Sequence, residues 1–300
     1  MAYAVSSVSG LTLHYPGNTR RLMQYFILKE DMNGMKRDLT KGNVTKTMLW
    51  FVGPVIAGNM LQQFYHLADT WIVGRYLGSD ALGAVGSAYT LMTFLTSILI
   101  GLCMGSGSVC SFYFGKKDEK QMKQSMQISF LLIGSITIIL NLLVLLFLNP
   151  ILRLLRIPNE LMGMMRDYTQ IVFLGMFFVF LYNYFAFLLR AVGNSIMPLF
   201  FLGGTALLNV ILDVIFVVKV PWGISGAAIA TVIAQGVSGI EIAIYTWVKE
   251  PRFRFQRTGA RFDRHSVMEI FRFSVAAVFG ESGGPYQSDG FWRMEQEFYI

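Results

Sequence analysis

Apolar residues run almost unbroken through six stretches, at about 47 to 73, 81 to 114, 124 to 148, 161 to 189, 195 to 220 and 223 to 248, while polar residues collect between them. A helix needs roughly 20 mainly apolar residues to cross a bilayer, so each stretch is long enough for one crossing. Helix is the expected form, because a chain in lipid must satisfy its own N–H and C=O groups. The connections carry "GRYLGSD", "GKKDEKQ", "NPILRLLRIPN", "RAVGNSIMP" and "VPWG", and Gly or Pro punctuates nearly all of them, as turns require. The pattern predicts an all-α membrane protein, one six-helix transmembrane lobe over 44–248. A seventh apolar run begins near Ser266 and stops at Gly280; the polar and aromatic "ESGGPYQSDGFWRMEQEFYI" after it has no period and cannot span. The expected organisation is a disordered or spurious leader at 1–43, the lobe, a basic cytoplasmic loop at 249–265, the start of a seventh helix at 266–280 and an aberrant tail at 281–300. The chain reads as cut off during its seventh helix. The first 31 residues lack the continuous apolar core of a signal peptide, and Met32 or Met35 would be a more natural start.

Composition sharpens this picture. The chain is 54% hydrophobic and 14% charged with a mean hydropathy of +0.51, against about 25% charge in an average soluble domain. The net charge of +7 does not point to nucleic acid, because Lys and Arg sit in short clusters between apolar runs and not along one polar face. Alternate connections differ in basic residues: 15 lie on one side, including Lys36 to Lys46, Lys116 to Lys123 and Lys249 to Arg264, and five on the other. By the positive-inside rule both ends of the six-helix unit are cytoplasmic, in a cell (inner or plasma) membrane. Cys103 and Cys110, seven residues apart in one apolar run, are expected to be buried spectators on one helical face.

Asp213 stands in the fifth run, "LLNVILDVIFV", with no nearby basic residue. An ionisable group within a span is costly and usually faces the bundle interior on an ion or substrate path. Depth follows from the 1.5 Å rise per residue: about 10 Å for Asp213, about 12 Å for Thr231, about 10 Å for Tyr168 and about 7 Å for Asp69, each from the outer end of its helix. These four can share one layer, and Asn209 joins them one helical turn before Asp213. The all-oxygen set suits a hard cation such as Na⁺. Protons are an equal candidate, since two carboxylates kept from water resist being charged together. Each residue also has a plainer reading: Asp69 as a surface group at a helix end, Tyr168 as an interfacial aromatic, and Thr231 as a packing residue in "GAAIATVIA". No other metal site and no cofactor is expected. Pro54 in "FVGPVIAG" removes one helical hydrogen bond and crowds the preceding turn, which marks a kink or hinge softened by Gly53 and Gly58.

"FYHLADTWIVGRYLGSDALGAVG", "LLRAVGNSIMP", "LLNVILDVIFV" and "WGISGAAIATVIAQ", in that order and spacing, resemble the multidrug and toxic compound extrusion (MATE) transporters from about Thr47 to Trp247. The resemblance implies twelve spans in two lobes, alternating access, and export of drugs or metabolites driven by inward Na⁺ or H⁺. It also implies a cation site at Asp69, Asn209, Asp213 and Thr231, with Tyr168 nearby, and a bend-forming proline at Pro54. The expected protein is a transporter and not an enzyme. Its partners are membrane lipid and small organic compounds, cationic ones among them. The second lobe falls outside the resemblance, so another lobe or another copy is needed for a complete cavity. Met60, Met92, Phe94, Phe177, Phe178 and Phe180 are candidate liners of an adaptable apolar cavity.

Three other readings compete. An intramembrane aspartyl protease would use two span aspartates, but it places them in Tyr-Asp and Gly-x-Gly-Asp settings, and here they stand in "HLADT" and "VILDV". A lipid-linked oligosaccharide or polysaccharide flippase of the same superfamily would need more basic residues within the spans to meet pyrophosphate. An inert fragment would carry no transport of its own.

Overall fold

The computed structural model describes residues 44–254, 267–268 and 270–274, and all of them fall in one compact unit. The proposed leader and tail, and most of the basic loop, lie outside the described residues. Helix α1 spans Val44–Leu77 and continues unbroken through Pro54. One residue, Gly78, joins it to α2, Ser79–Gly115. Gly78 has φ 91°, a left-handed conformation that glycine adopts at no steric cost. Helix α3, Glu119–Leu146, starts earlier than its apolar run, because the Asp118 side chain accepts a hydrogen bond from the Gln121 N–H at 3.0 Å and caps it. A short α4, Leu148–Leu154, follows.

The fourth apolar run is two helices, α5 (Asn159–Leu174) and α6 (Met176–Ala191), meeting at Gly175 with a 46° bend. A β-carbon on Gly175 would come within 2.5 Å of Gln235 Oε1 and 3.1 Å of the Val172 carbonyl oxygen. The fifth run is α7, Ile196–Asp213, and continues as a π-helical segment over Val214–Lys219. Helix α8, Gly223–Lys249, and a 3₁₀ turn at Pro251–Phe253 complete the lobe. Among the described residues there is no β-strand.

Helices α2, α6 and α8 form the centre; α1 packs on α7, α3 on α2, and α5 between α2 and α8. Small residues set these distances. A β-carbon on Gly239 of α8 would lie 2.7 Å from the Phe178 carbonyl oxygen, and one on Gly107 of α2 would lie 3.2 Å from that of Phe187. In lipid, where apolar side chains gain little by leaving their solvent, such close backbone approach drives helix association. One core cluster gathers Ile72, Leu99, Met165 and Phe173; another gathers Cys103, Cys110, Met126, Phe180 and Tyr184. Both cysteines are free and buried, as expected. Large apolar side chains on the outside, among them Phe64, Leu67 and Trp71 of α1, Leu146 of α3 and Leu207 of α7, are exposed.

Among the described residues four helices, α2, α3, α7 with its π segment, and α8, are each long and apolar enough to cross a membrane, and the bent α5–α6 pair makes a fifth crossing. Helix α1 has the length, 34 residues, but falls below the others in apolarity, because Asn59, Gln62, Gln63, His66 and Asp69 interrupt it. The start of the seventh run is helical at 267–268 and 270–274 and packs Val267 and Ile270 against Val109 and Ile128.

Candidate functional site

Two features meet between α1, α5, α7 and α8. The first is an acidic cluster. Asp213, the last α-helical residue before the π segment, is fully buried, and neither carboxylate oxygen has a hydrogen-bond partner among the described residues. Asp69 of α1 is buried with Oδ1 unpartnered, and it lies close enough to Asp213 for the two charges to interact. Asn209, one turn before Asp213, is buried with both amide atoms unpartnered. Tyr168 of α5 is buried within reach of both carboxylates and close enough to Thr231 to hydrogen-bond. The Thr231 hydroxyl donates to the Ala227 carbonyl at 3.0 Å, leaving its oxygen free to accept. The structure thus brings all five cluster residues together. Asp69 is not a surface group and Tyr168 is not an interfacial one, because the packing of α1 on α7 and of α5 on α8 encloses both.

Buried polar groups are nearly always paired, since stripping one of hydrogen bonds costs about 1–3 kcal/mol and a charge costs more. Five unpartnered atoms in one pocket, on Asp69, Asn209 and Asp213, are therefore an arrangement that invites a ligand able to meet several oxygens at once.

The second feature is a cavity of about 230 Å³. Asn209 and Thr231 belong to its wall and to the acidic cluster alike, while Asp69, Asp213 and Tyr168 are not among its lining residues. Gln62, Tyr65 and His66 of α1, Tyr89 of α2, Tyr182 and Asn183 of α6 and Gln235 of α8 are among its polar liners. Of the six candidate apolar liners, Met92 and Phe178 reach the wall. The others do not: Met60, Phe94 and Phe177 turn outward, and Phe180 is packed in the core against Phe130 and Tyr184. Helical rotation decides this, and composition carries no information about it. The polar liners of α1 were the residues missed, although their spacing held a signal. Gln62, His66 and Asp69 fall at i, i+4 and i+7 and form one polar stripe on an otherwise apolar helix. Pro54 lies 15 residues before Asp69 on the same helix, half-buried.

An all-helical lobe with apolar outer faces and a buried acidic pocket beside a cavity is the architecture of a multi-pass membrane protein. The family model MatE matches residues 54–215, more than half of the chain, and the chain belongs to that family. It is 33% identical over 201 residues to the probable multidrug resistance protein YpnP of Bacillus subtilis (strain 168), a match covering 67% of this chain and 45% of that protein. It is 25% identical over 239 residues to the multidrug export protein MepA of Staphylococcus haemolyticus (strain JCSC1435), covering 79% and 52% respectively. A transporter of the MOP superfamily from Pyrococcus furiosus has the same fold, with a TM-score of 0.74 at 23% identity, covering 80% of this chain and 53% of that one. The chain spans about half the length of the curated relatives it matches.

Proposed function

We propose that this lobe works as half of a transporter that exports drugs or metabolites across the cell membrane in exchange for inward Na⁺ or H⁺. The observation that carries the reading is the meeting of Asp69, Asn209 and Asp213, buried and with five side-chain atoms unpartnered, where Asn209 also lines a cavity. Membership of the MatE family and the export function named for its relatives support it. A second lobe, or a second copy of this one, completes the path. The distribution of basic residues among the connections supports a cytoplasmic position for both ends of the lobe.

In the outward-open state the carboxylates take up the cation, with Asn209, Thr231 and Tyr168 supplying further oxygens. Neutralising the two acids changes the packing among α1, α5, α7 and α8, and bending of α1 at Pro54 narrows the cavity and expels its occupant. Coupling requires the cation and the exported compound to stabilise different states, because a ligand without preference shifts nothing. The test is Asp213→Asn in a version carrying both lobes, with dye efflux from cells measured against an imposed Na⁺ or H⁺ gradient. Gradient-driven export should fall about 100-fold, the scale expected when a charged ligand group becomes neutral and two charge-assisted interactions with the cation weaken. Wild-type coupling in that variant would remove Asp213 from the mechanism.

A further inference from the structure

Among the described residues no Asp, Glu, Lys or Arg lines the cavity, so its wall meets a guest through uncharged polar groups and aromatic rings. On three helices the donors of that wall are already spent on backbone carbonyls. The Ser97 hydroxyl of α2 donates to the Thr93 carbonyl at 2.8 Å, and the Thr205 hydroxyl of α7 donates to that of Phe201 at 2.9 Å. On α6 the Tyr182 hydroxyl donates to the Pro198 carbonyl at 3.0 Å, and Asn183 Nδ2 donates to that of Val179 at 2.9 Å. Lone pairs are what these side chains keep. A hydroxyl that has given its hydrogen can only accept, and so can the Asn183 Oδ1.

The wall is therefore weighted towards acceptors. Lys and Arg, the side chains that only donate, are absent from it, and the remaining hydroxyls and amides offer both kinds of group. A guest carrying N–H or O–H groups finds partners on α2, α6 and α7, whereas a quaternary ammonium, its charge wrapped in methyl groups, has no hydrogen to give them. Such ions are held instead by open aromatic faces. Here the His66 ring packs 4.1 Å from Tyr65 and 5.0 Å from Tyr89 between centroids, so these rings cover one another. Size adds a limit. At about 230 Å³ the cavity lies below the ~300 Å³ at which drug-sized pockets begin, so this lobe alone suits a compact molecule.

We propose that this cavity selects its guest by hydrogen-bond donors and not by charge: Ser97, Asn183 and Thr205 accept from the N–H or O–H groups of a compact amine or alcohol, and a quaternary ammonium of equal charge is a poor guest. The inference rests on the cavity being the exported compound's site. It adds the residues that decide which compounds fit.

The test uses the full chain in lipid nanodiscs at pH 7.5 and two probes of equal charge, benzylammonium and benzyltrimethylammonium, with binding read by equilibrium dialysis against empty nanodiscs. The first carries three N–H donors and the second none. The wild type should bind benzylammonium about tenfold or more tightly than the quaternary ion, the scale of one hydrogen bond to a charged group. In the double variant Ser97→Ala, Thr205→Val that ratio should fall about tenfold, because the wall no longer replaces the water an ammonium gives up. Binding of the quaternary ion should stay as in the wild type, which shows that the cavity has kept its shape. Thr205→Ser, which keeps the acceptor, should keep the ratio. Should the double variant not fold, Ser97→Ala alone, at an exposed position, reads the same fall at smaller size. Equal or tighter binding of the quaternary ion by the wild type would overturn the proposal. So would a preference that persists in the serine and threonine variants and vanishes in Asp213→Asn, which would assign it to the carboxylates. Failure of the wild type to bind either probe would overturn the reading of the cavity itself, and the proposal with it.

Discussion

The lobe buries two polar clusters, and they are built on opposite plans. In one, between α2, α3 and α6, Ser106 donates to Ser129 at 2.7 Å, Ser129 and Tyr184 share a hydrogen bond at 2.9 Å, and the Tyr184 hydroxyl also reaches the Met126 carbonyl at 2.6 Å. These side chains answer one another, and nothing in the cluster asks for a ligand. In the other, Asp69, Asn209 and Asp213 are buried too and leave five side-chain atoms unpartnered. Burial alone therefore does not mark a functional site; burial without satisfaction does. The closed cluster ties three helices together. The open one leaves buried polar atoms without partners, an arrangement that costs stability.

Three measurements press on this contrast. The largest effect belongs to the bend beside the open cluster, where Gly175→Ala should destabilise the lobe by about 1–3 kcal/mol through overpacking. The new methyl group would meet Gln235 Oε1, whose place is 2.5 Å from the required position. Adding Gln235→Ala should return part of the loss, and a double-mutant cycle in thermal unfolding reads the coupling. Strict additivity would mean that the helix break, and not the glutamine, controls the fit.

A smaller loss is expected in the closed cluster. Tyr184→Phe removes a donor shared by Met126 and Ser129 and should cost about 1–2 kcal/mol, the scale of interhelical hydrogen bonds in membranes. Export per folded molecule should be unchanged. A transport defect without loss of stability would place Tyr184 in the working path and erase the distinction between the clusters.

The smallest effect distinguishes them by ligand. Na⁺ at ten times its dissociation constant should stabilise the wild type by about 1.4 kcal/mol, seen as a rise in melting temperature over the same concentration of choline chloride. Tyr184→Phe should keep that rise and Asp213→Asn should lose it. A rise retained in Asp213→Asn would put the ion elsewhere, and no rise in the wild type would leave H⁺ as the coupling ion.

Much of the fold was legible because lipid allows few structures. Six apolar runs longer than a bilayer is thick had to become helices, and the Asn209–Asp213 spacing placed both on one helical face wherever that helix packed. The break at Gly175 was not legible: glycine within a span is common, and this one matters only because Gln235 of another helix occupies the space beside it. The π segment after Asp213 was equally hidden, since its residues are as apolar as those of the α-helix before it. Phe180 and Phe178 are two residues apart, yet one fills the core and the other lines the cavity.

The sequence by itself determined that the chain is a helical membrane lobe and that it carries carboxylates too costly to leave in lipid, because hydropathy and desolvation act residue by residue. Only the tertiary structure decided that Asp69, on α1, and Asp213, on α7, come close together, and that five side-chain atoms of Asp69, Asn209 and Asp213 find no partner. That outcome depends on how α1 turns against α7 and α8, and helix rotation is set by side-chain packing between segments far apart in the chain.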